Sequence, residues 1–324
     1  MKRFAAAATV LGALTFVLLL RNLDMAQIVA LVVSAGWGVL FIVGQEIVAH
    51  VLNALGWRFA FEPRQAGTVS FGRLVQLRIA GDAVNYLTPT ATVGGEVSRA
   101  VMLRARDAVG VEPTSIIVAK IAQTIAQALF VACGVVLVVR AHMHPAGVPA
   151  LEIAGATIVL LLLLVLAVPR VRRALPPAPR LRAIGRQLAD FLRHHRGRGA
   201  ASIALFFAGY AWGVVEAWWI CRCLGLDLSV STILAIETMS AGVDGVLFMV
   251  PAKIGTQEGG KAAIFAALGL SSSAGFAFGL LRHVRELVWA AVGLVICARW
   301  WRTFRAGDTR SFRALWSREG KLSS

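Results

Sequence analysis

Two segments, DAVNYLTPTATVGGEVSR (residues 82–99) and DGVLFMVPAKIGTQEGGK (residues 244–261), share one pattern at a constant offset of 162 residues. Each begins with an aspartate, has a proline in the middle, and ends with a glutamate followed by a basic residue. Further along the chain a second basic residue also matches. The matched pairs are Asp82 and Asp244, Pro89 and Pro251, Glu96 and Glu258, Arg99 and Lys261, and Lys120 and Arg282. Because charged residues are scarce here, this register indicates an internal repeat.

The composition predicts that the protein lies in a membrane. Of its 324 residues, 58% are hydrophobic and 15% are charged, and the mean hydropathy is +0.72. A soluble protein carries about 25% charged residues, so this chain lacks the polar surface that a water-soluble domain needs. We therefore expect an all-α integral membrane protein, because helices satisfy their own backbone hydrogen bonds in lipid.

The net charge of +16 is concentrated in a few segments. Segment 169–198 holds nine Arg against one Asp, and the tail 299–324 holds six Arg and one Lys against two acids. Such clusters mark the cytoplasmic side of a bilayer. We predict a multi-pass protein of the cytoplasmic (inner) membrane with both termini inside, whose basic loop and tail contact anionic lipid headgroups. Nucleic acid is not an expected partner, because no recognisable binding module accompanies the charge.

Six apolar segments are long enough to cross a bilayer as helices. They are about 4–20, 26–50, 115–139, 150–168, 200–221 and 276–298. The loop at 51–73 is also assigned to the cytoplasm. With these assignments, residues 74–112 begin and end inside, whereas residues 223–275 begin and end outside. Each is predicted to form a re-entrant helical hairpin that enters the membrane and returns.

The two hairpins then have opposite orientations. The chain is predicted to be a single polytopic domain (1–324) made of two inverted repeats, about 1–145 and 150–300, with the basic loop 169–198 inside the second and the tail 299–324 after it. Secondary transporters often have inverted repeats with broken helices, and their substrate site lies between the broken elements.

Proline and glycine mark the expected break in each hairpin. Pro89 and Pro251 end the first half-helix, and the second half-helix begins near Gly94 and Gly95 or near Gly255. The unpaired N–H groups at such a helix start favour a phosphate or another anion.

Ion pairs within a helix are the structural alternative for the matched charges. Glu96 and Arg99 are three residues apart, as are Glu258 and Lys261, and Arg282 is four residues before Glu286. Residues at these spacings share a helical face, so each pair is able to neutralise itself as a salt bridge. Both interpretations, anion site and salt bridge, remain open at the level of the sequence.

The motifs Asn85-x3-Pro89, Gly94-Gly95-Glu96-x2-Arg99 and Pro251-x2-Ile254-Gly255-x2-Glu258 carry a family resemblance. The chain resembles the flippase-like transmembrane family related to the membrane half of lysylphosphatidylglycerol synthase. The resemblance implies movement or handling of polar lipids, and some members are associated with hopanoid or glycolipid pathways. Lys253 and Gln257 depart from the more Gly-rich turn of the family. We expect no counterpart of the soluble aminoacyl-transferring domain. We therefore do not expect this protein to synthesise the lipid.

The favoured hypothesis is a flippase-like secondary transporter that moves a polar lipid bearing a phosphate or another anionic group. No cofactor, metal or ATP-binding loop is expected. The candidate headgroup-binding residues are Asp82, Asn85, Gly94, Gly95, Glu96, Arg99, Lys120, Asp244, Gly255, Glu258, Lys261 and Arg282, and the candidate helix breaks are Pro89 and Pro251.

Two other functions compete with this hypothesis. A non-catalytic scaffold would recruit enzymes of lipid, hopanoid or glycolipid biosynthesis through its basic loop. An intramembrane protease would use Asp82 and Asp244 as paired carboxylates, but neither aspartate lies in the expected signature, and the zinc-protease and serine-hydrolase motifs are missing. We therefore expect a protein that is not an enzyme.

Overall fold

The computed structural model describes residues 24–88, 93–106, 114–142, 191, 193–246, 251–253 and 255–307. Within these ranges every regular element is a helix, as predicted. In chain order the elements are α1 (Met25–Ser34), α2 (Gly38–Gly44), α3 (Glu46–Phe59), α4 (Phe71–Leu87), α5 (Val93–Arg106), α6 (Thr114–His142), α7 (Arg196–Cys223), α8 (Val230–Val246), a 3₁₀ turn (Pro251–Lys253), α9 (Thr256–Ala267) and α10 (Ser272–Gly307).

Three helical segments in the described part of the chain are long and apolar enough to cross a membrane. They are Gly38–Phe59, Thr114–Arg140 and Arg196–Cys223. The second and third contain the predicted spans 115–139 and 200–221. The predicted span 276–298 lies within α10, which is outside this set and bears four ionisable side chains between residues 282 and 286. The predicted spans 4–20 and 150–168 lie outside the described residues, as do Pro89 and most of the basic loop and tail.

The predicted span 26–50 has the wrong boundaries. The helix that begins at Met25 ends at Ser34, and the chain turns at Gly36, whose φ of +47° lies in the left-handed region. The membrane-length segment begins only at Gly38 and continues to Phe59, so Arg58 belongs to its last turn. The predicted loop 51–73 therefore shrinks to residues 60–70. Glycine at position 36 adopts this backbone without the steric cost that a side chain would add.

The segment α2–α3 packs antiparallel to α7. At one end, a side chain at Gly38 would collide with Cys223. At the other end, the Arg198 guanidinium donates hydrogen bonds to the carbonyl oxygens of Phe61 (3.0 Å) and Arg58 (2.8 Å). Because α7 has 28 residues, these two contacts lie about 40 Å apart along its axis.

Two broken-helix units flank one long helix. We call α4 and α5 the first unit, and α8, the 3₁₀ turn and α9 the second unit. The first unit packs on α10 near Gly293, where a Cβ atom would collide with Ala83. The second unit packs on α10 near Gly279, where a Cβ atom would lie 2.8 Å from Cα of Glu258. In addition, α4 packs against the Pro251–Lys253 turn. Both units therefore meet along one face of the same helix.

Large apolar side chains cover much of the outside. Trp37 is 86% exposed and Val33 is 71% exposed. Similar side chains project from other helices, namely Leu40, Phe41, Leu129, Val136, Leu137, Leu287, Leu294 and Val295. This surface would be unfavourable in water and is suited to lipid.

Candidate functional site

The first unit is closed by an ion pair between its two helices. Asp82 of α4 lies 2.5 Å from Arg99 of α5, and it also accepts a hydrogen bond from Arg78 at 3.0 Å. Arg99 is 3% exposed and forms a further ion pair with Glu96. This last contact is the predicted salt bridge between residues three apart. A charge in this position is tolerated because it is paired on more than one side.

One backbone N–H group at the start of α5 has a partner within the protein. The N–H group of Gly95 donates a hydrogen bond of 2.7 Å to Oδ1 of Asn85. A Cβ atom on Gly95 would collide with the carbonyl oxygen of Gly81, so the glycine permits the close approach of α4 and α5. In this structure the N–H group of Gly95 is therefore engaged within the protein, by the amide oxygen of Asn85, while the predicted anion site at the start of α5 stays a prediction. Gly94 lies one residue earlier in the same helix.

Two residues from neighbouring helices complete the first cluster. Lys120 of α6 lies 3.5 Å from Glu96. His50 of α3 lies 3.7 Å from Asp82 through Nδ1 and is 6% exposed. Asp82 is thus surrounded by partners from three helices.

The second unit repeats the central contact of the first. Asp244 of α8 lies 3.6 Å from Lys261 of α9, which is the same pairing, at the 162-residue offset, as that of Asp82 with Arg99. Lys261 is 1% exposed. In both copies the aspartate of the first half-helix is therefore held by the base of the second half-helix.

Other predicted pairs of the second unit do not form. Glu258 pairs with His283 of α10 rather than with Lys261. Arg282 reaches across to α7 and α8, with Glu216 at 3.3 Å and Glu237 at 2.6 Å, instead of pairing with Glu286. Helical spacing identifies neighbours on one helix, whereas here the partners on other helices are better placed.

The turn of the second unit explains why a lysine, Lys253, stands where the family has a more Gly-rich turn. Ala252 and Lys253 both have φ of 51°, in the left-handed region, and Gly255 has φ of 74° before α9 begins. The Lys253 side chain crosses from the turn to α10, with Nζ 3.3 Å from Asp244 and 3.1 Å from Glu286. A lysine thus links the two acids at this position.

Two neighbouring cavities lie among these charges. The larger, of about 210 Å³, is lined by residues from α3, α6, α7, α8, α10 and the 3₁₀ turn, and its charged members are Glu46, Glu216, Glu237, Asp244, Lys253, Arg282, Arg285 and Glu286. The smaller, of about 150 Å³, lies between α3, α4 and α10, and its ionisable members are Glu46, His50, Asp82, Tyr86, Arg285 and Glu286. The two cavities share Glu46, Arg285 and Glu286.

The predicted site residues fall into two layers. Asp82 lines the smaller cavity, and Asp244 and Arg282 line the larger one. Glu96, Arg99, Glu258 and Lys261 line neither of these cavities. Arg99 and Lys261 hold the wall residues Asp82 and Asp244, whereas Glu96 pairs with Arg99 and Glu258 pairs with His283. Asn85, Gly95 and Gly255 lie at the junctions between the half-helices, and Lys120 forms an ion pair with Glu96.

Several wall residues are not among the predicted headgroup-binding residues. Arg285 pairs with Glu216 and, at 2.9 Å, with Glu46. Glu46, Glu216 and Glu237 are isolated acids in apolar helices, a pattern that is expensive in lipid and therefore signals an interior role. Arg78 was recognisable as the i−4 neighbour of Asp82.

A model of one protein family, described as the lysylphosphatidylglycerol synthase TM region, matches residues 4–295. The chain belongs to this family. The match covers both broken-helix units, α10 up to Val295 and both cavities, and it connects the protein with lipid handling in a membrane. Neither a curated protein nor a solved structure matches the chain.

Proposed function

We propose that this protein moves a polar, phosphate-bearing or otherwise anionic lipid headgroup across the cytoplasmic membrane, as a flippase-like secondary transporter. The observation that carries the proposal is the larger cavity, which brings Glu46 of the first half together with acids and bases of the second half inside a lipid-facing helical protein. Charges cost roughly 2.5–3.5 kcal/mol each at the centre of a membrane helix. Membership of the family supports a lipid as the ligand of these charged side chains.

Three basic side chains are suited to a phosphate. Lys253, Arg282 and Arg285 all line the larger cavity. Guanidinium groups bind phosphate oxygens in a two-point geometry, and an ammonium group adds a point charge. The acyl chains would remain in the bilayer while the headgroup enters the cavity.

Alternating access would come from the two units. In this proposal each unit is a re-entrant hairpin, the repeats are inverted, both termini are cytoplasmic, and α10 stays between the units while they rock. The packing of α4 on the Pro251–Lys253 turn is consistent with hairpin tips that approach each other inside the bilayer.

The test is movement of headgroup-labelled anionic and zwitterionic lipids across reconstituted liposomes. Lys253→Met removes a cavity base while Asp244 keeps Lys261 and Glu286 keeps Arg285. We expect at least a tenfold loss of rate, which corresponds to about 1.4 kcal/mol. Glu96→Gln and Glu258→Gln test the supporting layer, and Arg222→Gln, in an exposed pair with Asp227, is the control.

The proposal fails if wild-type protein moves none of these lipids, or if Lys253→Met matches Arg222→Gln. A non-catalytic scaffold of a lipid-biosynthesis complex would instead be indicated by a cell phenotype that depends on Arg193 and Arg196 but not on Lys253.

A further inference from the structure

Four residues that line the smaller cavity each have a buried polar side-chain atom without a hydrogen-bond partner among the described residues. The atoms are Nε2 of His50, the hydroxyl oxygen of Tyr86, Nε of Arg285 and Oε2 of Glu286. Buried polar atoms in folded proteins nearly always have a partner, so such a group signals a bound species. His50 itself is 6% exposed, and one ring nitrogen already faces Asp82. The smaller cavity is therefore lined by a histidine whose second ring nitrogen, Nε2, has no protein partner among the described residues.

The surrounding charges are almost balanced before any ligand enters. Among the described residues, the ion pairs of the two units and their neighbours join eight carboxylates to seven Lys and Arg side chains and two histidines. An anionic headgroup that binds Arg285 or Lys253 competes with the carboxylates that these bases now hold. A carboxylate left unpaired in a buried site is strongly unfavourable. A cation must therefore enter with the anion, or the anion is excluded.

We propose that the smaller cavity is a proton-binding site, centred on His50, which is filled when an anionic headgroup enters the larger cavity. This inference rests on the proposed function and adds to it the ion that accompanies the lipid. Histidine is the side chain that ordinarily exchanges a proton near neutral pH. The bound proton makes both ring nitrogens of His50 donors, one toward Asp82 and one into the cavity.

The residues around His50 are suited to reversible protonation of its imidazole ring. Trp289 of α10 lies against the imidazole, with ring centroids 4.7 Å apart, and an aromatic face accommodates the ring in its neutral or its charged form. From α4, Asp82 faces it with its own partner Arg78, and Arg99 of α5 stands behind that aspartate.

Helices α3 and α10 supply the remaining charged groups. Glu46, Arg285 and Glu286 line the cavity beside His50. These same three residues form the wall that the two cavities share. When a headgroup phosphate draws Arg285 toward the larger cavity, Glu46 and Glu286 lose a positive neighbour. A proton on His50 replaces that positive charge. Headgroup binding in the larger cavity and proton binding in the smaller cavity are thereby coupled through the three shared residues.

The test is isothermal titration calorimetry of the detergent-solubilised full chain with dioctanoyl phosphatidylglycerol, in buffers of different ionisation enthalpy at one pH. The dependence of the binding heat on buffer enthalpy gives the protons taken up, and about one proton per lipid is expected for wild type. The uptake should disappear in His50→Gln and persist in His195→Gln, a histidine that contacts Phe191 and lines neither cavity.

Each result decides the matter. Lipid binding without proton uptake in wild type would overturn the proton site and leave the proposed function intact, and this arm needs no variant to fold. Uptake that is unchanged in His50→Gln, with lipid still bound, would remove His50 from the site. Absence of binding would contradict the phosphate-bearing headgroup of the proposed function, and the proton site with it.

Discussion

At the scale of single residues, Lys253 combines an unfavourable backbone with two favourable contacts. Its φ of 51° places a side chain where glycine is usual, at a cost of about 1–2 kcal/mol. Its ammonium group joins Asp244 of the second unit to Glu286 of α10. Strain of this kind persists where the surrounding structure requires the residue, and it often accompanies a functional position.

A pair of substitutions separates the strain from the contacts. Lys253→Gly and Lys253→Ala both remove the ammonium group, but only alanine keeps a Cβ atom in the left-handed region. We expect the glycine variant to be the more stable of the two by about 1 kcal/mol. Unfolding by a denaturing detergent measures the difference. Equal stability of the two variants would show that the turn relaxes when the lysine is removed.

Arg99 is predicted to be the most sensitive charge of the first unit. Arg99→Met removes the base that Glu96 and Asp82 share but leaves them Lys120 and Arg78, so we expect a loss of about 1.5–3 kcal/mol in unfolding free energy. Arg222→Met breaks an exposed pair with Asp227 and should cost at most about 1 kcal/mol. The same unfolding assay compares them, and a similar cost for both would contradict the buried role of Arg99.

At the scale of elements, the sequence predicted a helix, a break and a second helix in each unit, and the structure has separate helices on either side of both breaks. The sequence also predicted the Glu96–Arg99 contact, because both residues lie on one helix. It did not predict that Glu258 pairs with His283, since that contact joins α9 to α10 and depends on how the helices cross. Local spacing cannot identify partners on another helix.

Close packing of α4 and α5 depends on Gly95. Gly95→Ala would push the new methyl group into the carbonyl oxygen of Gly81 and the amide of Asn85, so we expect a loss of about 1–3 kcal/mol. Gly72→Ala is the matched control in α4, because nothing lies within 4 Å of its Cβ position. Thermal unfolding in detergent should separate the two, and an unaffected Gly95→Ala would mean that the unit opens without cost.

At the scale of the whole molecule, the antiparallel packing of α2–α3 on α7 fixes which loops share a side. The spans 115–139 and 200–221 were predictable because long apolar runs suffice for membrane helices. The span 26–50 was not, because a hydrophobic run conceals the break at Gly36. The short loop 60–70 lies beside the start of α7, whereas residues 224–229 follow its end.

Cysteine labelling tests this orientation. In a background without the native cysteines, Gly67→Cys should react with a charged maleimide only from the cytoplasm, and Ser229→Cys only from outside. Both positions are exposed. They lie beyond opposite ends of a helix that is about 40 Å long, with the basic segments expected inside. Right-side-out and inside-out vesicles provide the comparison. Reaction of both sites from the same side would contradict the crossing of α7.

Because α10 is one continuous helix, the directions in which its two sets of contacts point are fixed relative to each other. Its 36 residues present Gly279 and His283 to the second unit, and Trp289 and Gly293 to the regions around α3 and α4. Each residue advances the helix by about 100°. One residue inserted between positions 283 and 289 would rotate one set of contacts away while the other stayed in place. Even a whole inserted turn, which restores the angle, would move the two sets of contacts apart by about 5.4 Å along the axis.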